Sequence, residues 1–404
     1  MTAGGHTGVV LSGGGADGAY EVGVLKALLQ GASPATGYRP VDPGIYTGTS
    51  VGAYNATFLC SRPGRPAADV AAELETVWLD RIANTVWSCG NGVYRLRGAP
   101  FQALDPGCLA RPVRSLVELG QDVAVLTAFG MVKGAQFLAS DAPIKSRLLS
   151  LVDLDAFVSP SPFEDLVAQT IDPTLLSRSS KRLVLAASNW KQGVVRLFSR
   201  QEIAGAVGPR AILASAALPG IFPPVPIDGI PYVDGGVLLN TPLKPAIDGG
   251  ADTIHVVFVD PRVDEIALTP LESTLDTFYR MFAIIWASNV RKDVLIASGI
   301  TRTLELLERE PAGGASREEA RSFLQVGQRI YERFAAGGGY RKVNVHVYRP
   351  RNALGEGEGI LDFRRDRLAS VIEMGYQDAV QHDCEASGCG LWGQPAGTAR
   401  RRVA

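Results

Sequence analysis

Histidine and cysteine are both scarce, with four and five residues in a chain of 404. The cysteines, Cys60, Cys89, Cys108, Cys384 and Cys389, cannot all pair within the chain and are too few for a disulfide scaffold, so reduced thiols are expected. Cys384 and Cys389 have C-x4-C spacing, but no second Cys/His pair at zinc-finger spacing accompanies them, and the sequence reading assigns no metal ligand. Charge of either sign is not in excess. Lys+Arg at 40 against Asp+Glu at 41 leaves a net charge of -1, which argues against a dedicated nucleic-acid binder. A disordered chain is excluded by the 46% hydrophobic content. No apolar run reaches the roughly 18 to 20 residues of a membrane-spanning helix, so no transmembrane segment is expected and any membrane contact should be peripheral. The first residues lack a basic region, and their apolar run VVL is cut by Ser12 and three glycines. That is not the pattern of a signal peptide, and a cytoplasmic location is expected.

What the chain has is a glycine-marked βα pattern. TGVVLSGGG leads into ADGAYEVGVLKALLQ, and GIYTGTS leads into VGAYNATFLC. A β-rich run, a glycine turn and a helix-period segment thus occur twice, as in parallel β-α-β construction. Loops that follow parallel strands gather on one rim, where open α/β proteins place their ligands. Further strands are predicted at 182–190, 194–200, PYVDGG and 253–260, and again at 342–350. Helices are predicted at 208–218, 276–309 and 363–381. The stretch 88–175 has weak periodicity and reads as a helical cap inserted into one catalytic domain of residues 1–383. Residues 384–404 read as a disordered tail.

Gly48 to Gly52, GTSVG, fits G-x-S-x-G between a strand and a helix, the context of a nucleophile elbow: Ser50 sits on a strained turn and Gly48 and Gly52 let the chain bend. Gly13, Gly15 and Gly18 also satisfy G-x-G-x-x-G. A dinucleotide site would need an acidic residue at the end of the second strand, but that strand ends in the GTSVG turn and Asp42 precedes it. A P-loop fails for want of G-K-[ST]. Bare amides at Gly13, Gly14 and Gly15 remain suited to a negative charge, such as the oxyanion formed when Ser50 attacks an acyl carbon.

A serine nucleophile needs a base. His6 precedes the first strand, His255 and His346 lie within strands, and His382 is near the tail, so none has a strand-then-turn setting. Asp234 in PYVDGG does. Asp228 and Asp248 sit in Asp-Gly sequences before strands and read as turn formers.

GGGADG, GTSVG and DGG in this order, together with ASAALPGIFPPV, VLLNTPLKPAIDGGAD and MGYQDA, resemble the patatin-like phospholipase family. The resemblance is close over residues 8 to 262 and looser to about 380. It implies a three-layer α/β sandwich with a mainly parallel central sheet flanked by helices. It further implies Ser50 as nucleophile, Asp234 as base, no histidine, and the amides of Gly13 to Gly15 as oxyanion hole. The implied activity is lipid acyl hydrolysis of the phospholipase A, lysophospholipase or carboxylesterase type through an acyl-enzyme, with a lipid or ester substrate and no cofactor. An acyltransferase using the same acyl-enzyme and a non-catalytic lipid-binding module are the alternatives. One position departs from the family pattern: Asp17 stands where the glycine loop usually carries Arg or Lys.

Overall fold

The computed structural model describes residues 6–84, 90–98, 104, 106–110, 112–140, 154–259, 280–282, 284–285, 325, 343–350, 354, 357–387 and 389. Most of the helix expected at 276–309, and most of the expected tail, lie outside the described residues.

Ten strands are described: β1 (Thr7–Leu11), β2 (Ile45–Thr49), β3 (Arg95–Leu96), β4 (Val158–Ser159), β5 (Arg182–Asn189), β6 (Val194–Ser199), β7 (Val225–Ile227), β8 (Ile230–Asp234), β9 (Thr253–Val257) and β10 (Asn344–Tyr348). Eight of them form one sheet in the order β10-β9-β1-β2-β5-β8-β7, with β6 also paired to β5. The block from β10 to β5 is parallel throughout. β6, β7 and β8 join antiparallel to their neighbours.

Alternate residues of β1 enter two cores. Val9 and Leu11 pack with helices α1 (Ala19–Gln30), α2 (Val51–Cys60), α3 (Ala67–Val77) and the last helix of the chain, Arg365–Val380. Val10 packs on the other face with Leu243, Ala246 and Ile247 of Leu243–Asp248. The period-two alternation thus produces the three layers, helix, sheet and helix, expected of a strand buried on both faces.

One expectation needs correction. Cys108 is disulfide-bonded, so the thiols are not all reduced. The stretch of weak periodicity contains a 28-residue helix, Pro112–Ala139, and its part Ser115–Ala139 is long and apolar enough by length and composition to cross a membrane. Scattered polar residues hid it in the sequence. Only 6% of that part is buried, and one such helix does not establish a membrane span. Its Asp122 makes a bidentate pair with Arg95 of β3, at 2.7 and 2.8 Å, with both side chains buried.

Candidate active site

β2 runs from Ile45 to Thr49 and turns at once into α2, so Ser50 must reverse the chain in a single residue. Its backbone lies at φ 55 and ψ -126, a conformation that costs a non-glycine residue roughly 1–3 kcal/mol. The flanking glycines make the turn feasible. A Cβ at Gly48 would stand 2.3 Å from the carbonyl oxygen of Gly52, and one at Gly52 would stand 2.7 Å from that of Ser12. The turn is held from outside by Ser215, whose hydroxyl accepts the Ser50 N–H at 2.9 Å and donates to the Ala186 carbonyl of β5 at 2.7 Å.

β5 explains how a distant aspartate reaches this serine. β6 covers one edge of β5 from Val184 to Asn189. The other edge is shared: β2 pairs with Arg182 to Ala186 and β8 with Ala187 to Asn189. Because β2 is parallel to β5 and β8 antiparallel, their C-terminal ends meet head on. Thr49 faces Ala186 and Asp234 faces Ala187. The Ser50 hydroxyl consequently lies beside the Asp234 carboxylate and lowers its pKa, and that carboxylate accepts the Gly236 N–H at 2.6 Å. Burial pushes the Asp234 carboxyl from its ordinary 3.8 up to about 7, against the lowering effect of the hydrogen bonds from Ser50 and Gly236. Gly235 has no room for a side chain, since a Cβ there would lie 2.3 Å from the Ala186 carbonyl oxygen.

The glycine loop follows β1. Gly14 and Gly15 line the same cavity as Ser50 and Asp234. The Gly13 N–H bonds Asn240, through the side-chain oxygen at 3.1 Å and the carbonyl at 3.3 Å. Asn240 returns a bond from its side-chain amide to the Gly13 carbonyl at 3.2 Å. The segment around it ties down the ends of β1 and β2. Thr241 bonds Ser12, Thr49 donates to the Leu239 carbonyl, and Thr47 donates to the Pro242 carbonyl. Ser215 and Asn240 are thus positioning residues that the sequence reading did not single out, although both lie in segments that carried the family resemblance. Asp17 is buried beneath the loop and ion-paired with Arg367 of the last helix. Burial pushes its carboxyl up to about 6, with Arg367 pulling the other way.

The cavity measures about 390 Å³. Its walls are mainly apolar, including Tyr54, Trp78, Phe163, Leu213, Phe222 and Phe363, and its charged lining residues are Glu164, Arg210 and the buried Asp234. The proline-rich bend after α-helix Gly208–Ser215 forms one wall through Phe222 to Pro226. An apolar chamber with polar groups gathered at one point suits a ligand with a long hydrocarbon part and one reactive polar bond. Among the described residues no histidine lines it. Asp228 occupies a positive-φ position in the β7–β8 turn, and Asp248 pairs with Lys244 at 2.7 Å, so both are structural, as expected.

A search among curated proteins returns no match. Among solved structures, the crystal structure of VipD from Legionella pneumophila is similar, at 15% identity and a TM-score of 0.36, over 95% of this chain and 68% of that one. The sequence profile of patatin-like phospholipase matches residues 9–247, which takes in the end of β1, the glycine loop, Ser50, Asp234 and the Asn240 segment. By that match over more than half of its length, the chain belongs to the patatin-like phospholipase family.

Proposed function

We propose that this member of the family hydrolyses fatty-acyl esters of lipids with Ser50 as nucleophile and Asp234 as its only base. The observation that carries this reading is the end-to-end meeting of β2 and β8 on one edge of β5, which sets the Ser50 hydroxyl against a buried carboxylate at an apolar chamber.

Ser50 Oγ attacks the ester carbonyl carbon as Asp234 accepts the hydroxyl proton. The carbonyl oxygen becomes an oxyanion, held by the amides of Gly14 and Gly15, and each such donor contributes roughly 3 kcal/mol. Asp234, now a carboxylic acid, gives its proton to the departing alcohol oxygen, and the C–O bond breaks to leave an acyl-Ser50. Water then loses a proton to Asp234, attacks the acyl carbon and releases the fatty acid. Asp234 returns that proton to Ser50 Oγ. A carboxyl raised to about 7 by burial is a far better base near neutral pH than one at its ordinary 3.8, so desolvation replaces the histidine of a triad. Residues 88–175 act as a cap inserted into one catalytic unit, a reading supported by Pro160, Phe163 and Glu164 on the cavity wall. Leu116, Met131 and Leu138, exposed on Pro112–Ala139, suit peripheral contact with lipid. Vesicle flotation of wild type against Leu116→Asp, Met131→Asp checks that contact, and equal flotation removes it.

The direct test of the activity is fatty-acid release from phospholipid, lysophospholipid and short p-nitrophenyl esters. Ser50→Ala and Asp234→Asn should each lose roughly 10³-fold or more while remaining folded. Release of free acid alone in the presence of an added alcohol identifies a hydrolase, whereas alcohol ester formation identifies a transacylase. Full activity in either variant removes that residue from the mechanism.

A further inference from the structure

Away from the cavity, the turn after the last helix meets the edge strand of the sheet. His346 lies in β10, which ends the sheet order, and His382, Cys384 and Cys389 follow Arg365–Val380. One ligand atom from each of the four lies within 4.8 Å of all the others. The separations that define the group are short. Cys384 Sγ stands 3.4 Å from His346 Nδ1 and 3.5 Å from His382 Nε2, and Cys389 Sγ stands 3.3 Å from His382 Nε2.

We propose that His346, His382, Cys384 and Cys389 bind one zinc ion that staples the C-terminal turn to β10. The chemistry of the donors selects the metal class: two thiolates and two imidazoles in a closed set of four form a structural zinc site. The spacing fits. With zinc–sulfur near 2.3 Å and zinc–nitrogen near 2.0–2.1 Å, the sulfur–nitrogen edges of a tetrahedron measure about 3.5 Å. Two neutral imidazoles and two thiolates balance the dication, and binding releases the two thiol protons to solvent.

The surroundings are those of a held site. The Val347 N–H of β10 donates to Cys389 Sγ at 3.3 Å. The Cys389 N–H donates to the Cys384 carbonyl at 2.8 Å, and the Asp383 carboxylate accepts the N–H groups of Glu385 and Ala386. The His346 ring stacks on His255 with centroids 5.2 Å apart, and the Tyr348 ring lies 4.6 Å from His382. Partners of this kind fix the orientation of the ligands around a metal. The two halves of the site are 38 positions apart, which is why C-x4-C alone carries no zinc signal.

The test uses the full chain, free of any affinity tag, expressed with zinc supplied and dialysed extensively. Elemental analysis should find about one zinc per chain, and X-ray absorption should show two sulfur and two nitrogen neighbours. Cys384→Ser, Cys389→Ser and, separately, His346→Ala should lose that zinc with circular dichroism unchanged. Should a variant fail to fold, stripping the wild type with a chelator and adding cobalt supplies the second readout: tetrahedral thiolate-ligated cobalt absorbs intensely in the visible, and zinc bleaches it. Stripping should also lower the melting temperature. A metal-free chain, zinc retained in the cysteine variant, octahedral cobalt or a Cys384–Cys389 disulfide in the freshly purified protein would each overturn the proposal.

Discussion

Ser215 stands between Ser50 and β5, accepting the Ser50 N–H at 2.9 Å and donating its hydroxyl hydrogen bond to the Ala186 carbonyl at 2.7 Å. It is fully buried and bears on the one backbone unit that the elbow strains. Ser215→Ala leaves that N–H and the Ala186 carbonyl without their partner, a loss of about 1–3 kcal/mol in stability. Turnover should fall roughly tenfold to a hundredfold with little change in KM, because a misplaced nucleophile loses reaction geometry rather than ground-state binding. Thermal melting and steady-state kinetics check both, and Ser215→Thr should restore part of each.

The pH profile follows from the Asp234 carboxyl at about 7. The base works only when ionised, so kcat/KM should hold a plateau above neutrality. Below about pH 7 it should fall tenfold per pH unit. A profile flat down to pH 5 contradicts the assignment of Asp234 as base.

The same burial has a cost in stability. The folded carboxyl is raised above its ordinary 3.8, so the folded state binds the proton more tightly than the unfolded chain does. The resulting stability is fully present below about pH 4 and is lost as pH rises through about 7. The span from 3.8 to about 7 corresponds to roughly 4 kcal/mol as an upper bound. Asp234→Asn removes that penalty. It should therefore melt higher than wild type at pH 8, with the gap closing toward pH 4, as differential scanning measures. An inactive variant that is less stable than wild type at pH 8 would show that the carboxylate is held by contacts rather than strained by burial.

Arg367 neutralises Asp17 beneath the glycine loop and also donates to the carbonyls of Leu354 and Asp362. Arg367→Met leaves a buried carboxylate alone, a loss of about 3–5 kcal/mol near neutral pH. Asp17→Asn in the same chain should recover much of it, since removing both charges costs less than removing one. A double-mutant cycle in denaturant gives the coupling, and additivity of the two changes would dismiss the pair as a stabilising contact.

Much of the site was legible because its parts are local. G-x-S-x-G between a strand and a helix specifies the elbow at Ser50, and Asp-Gly-Gly after a short strand specifies Asp234, each from a few contiguous residues. Period-two and period-3.6 patterns likewise place β5, β6 and the last helix within a residue or two. What escaped is what folding brings together. The bond from the Gly13 amide to Asn240 joins positions 227 apart, and the Asp17–Arg367 pair spans 350. His346 reads as an ordinary strand residue until β10 is laid at the sheet edge beside the turn that carries Cys384 and Cys389. The helix Pro112–Ala139 escaped because scattered polar residues break its apolar run, though a three-turn average would have revealed it.

The Ser50–Asp234 dyad is tested most directly by covalent labelling with a fluorophosphonate and mapping the adduct by tandem mass spectrometry. The adduct should fall on Ser50 in wild type, vanish in Ser50→Ala, and form at least a hundredfold more slowly in folded Asp234→Asn, roughly as expected for loss of a general base. An adduct on another residue, or wild-type labelling kinetics in Asp234→Asn, would contradict it.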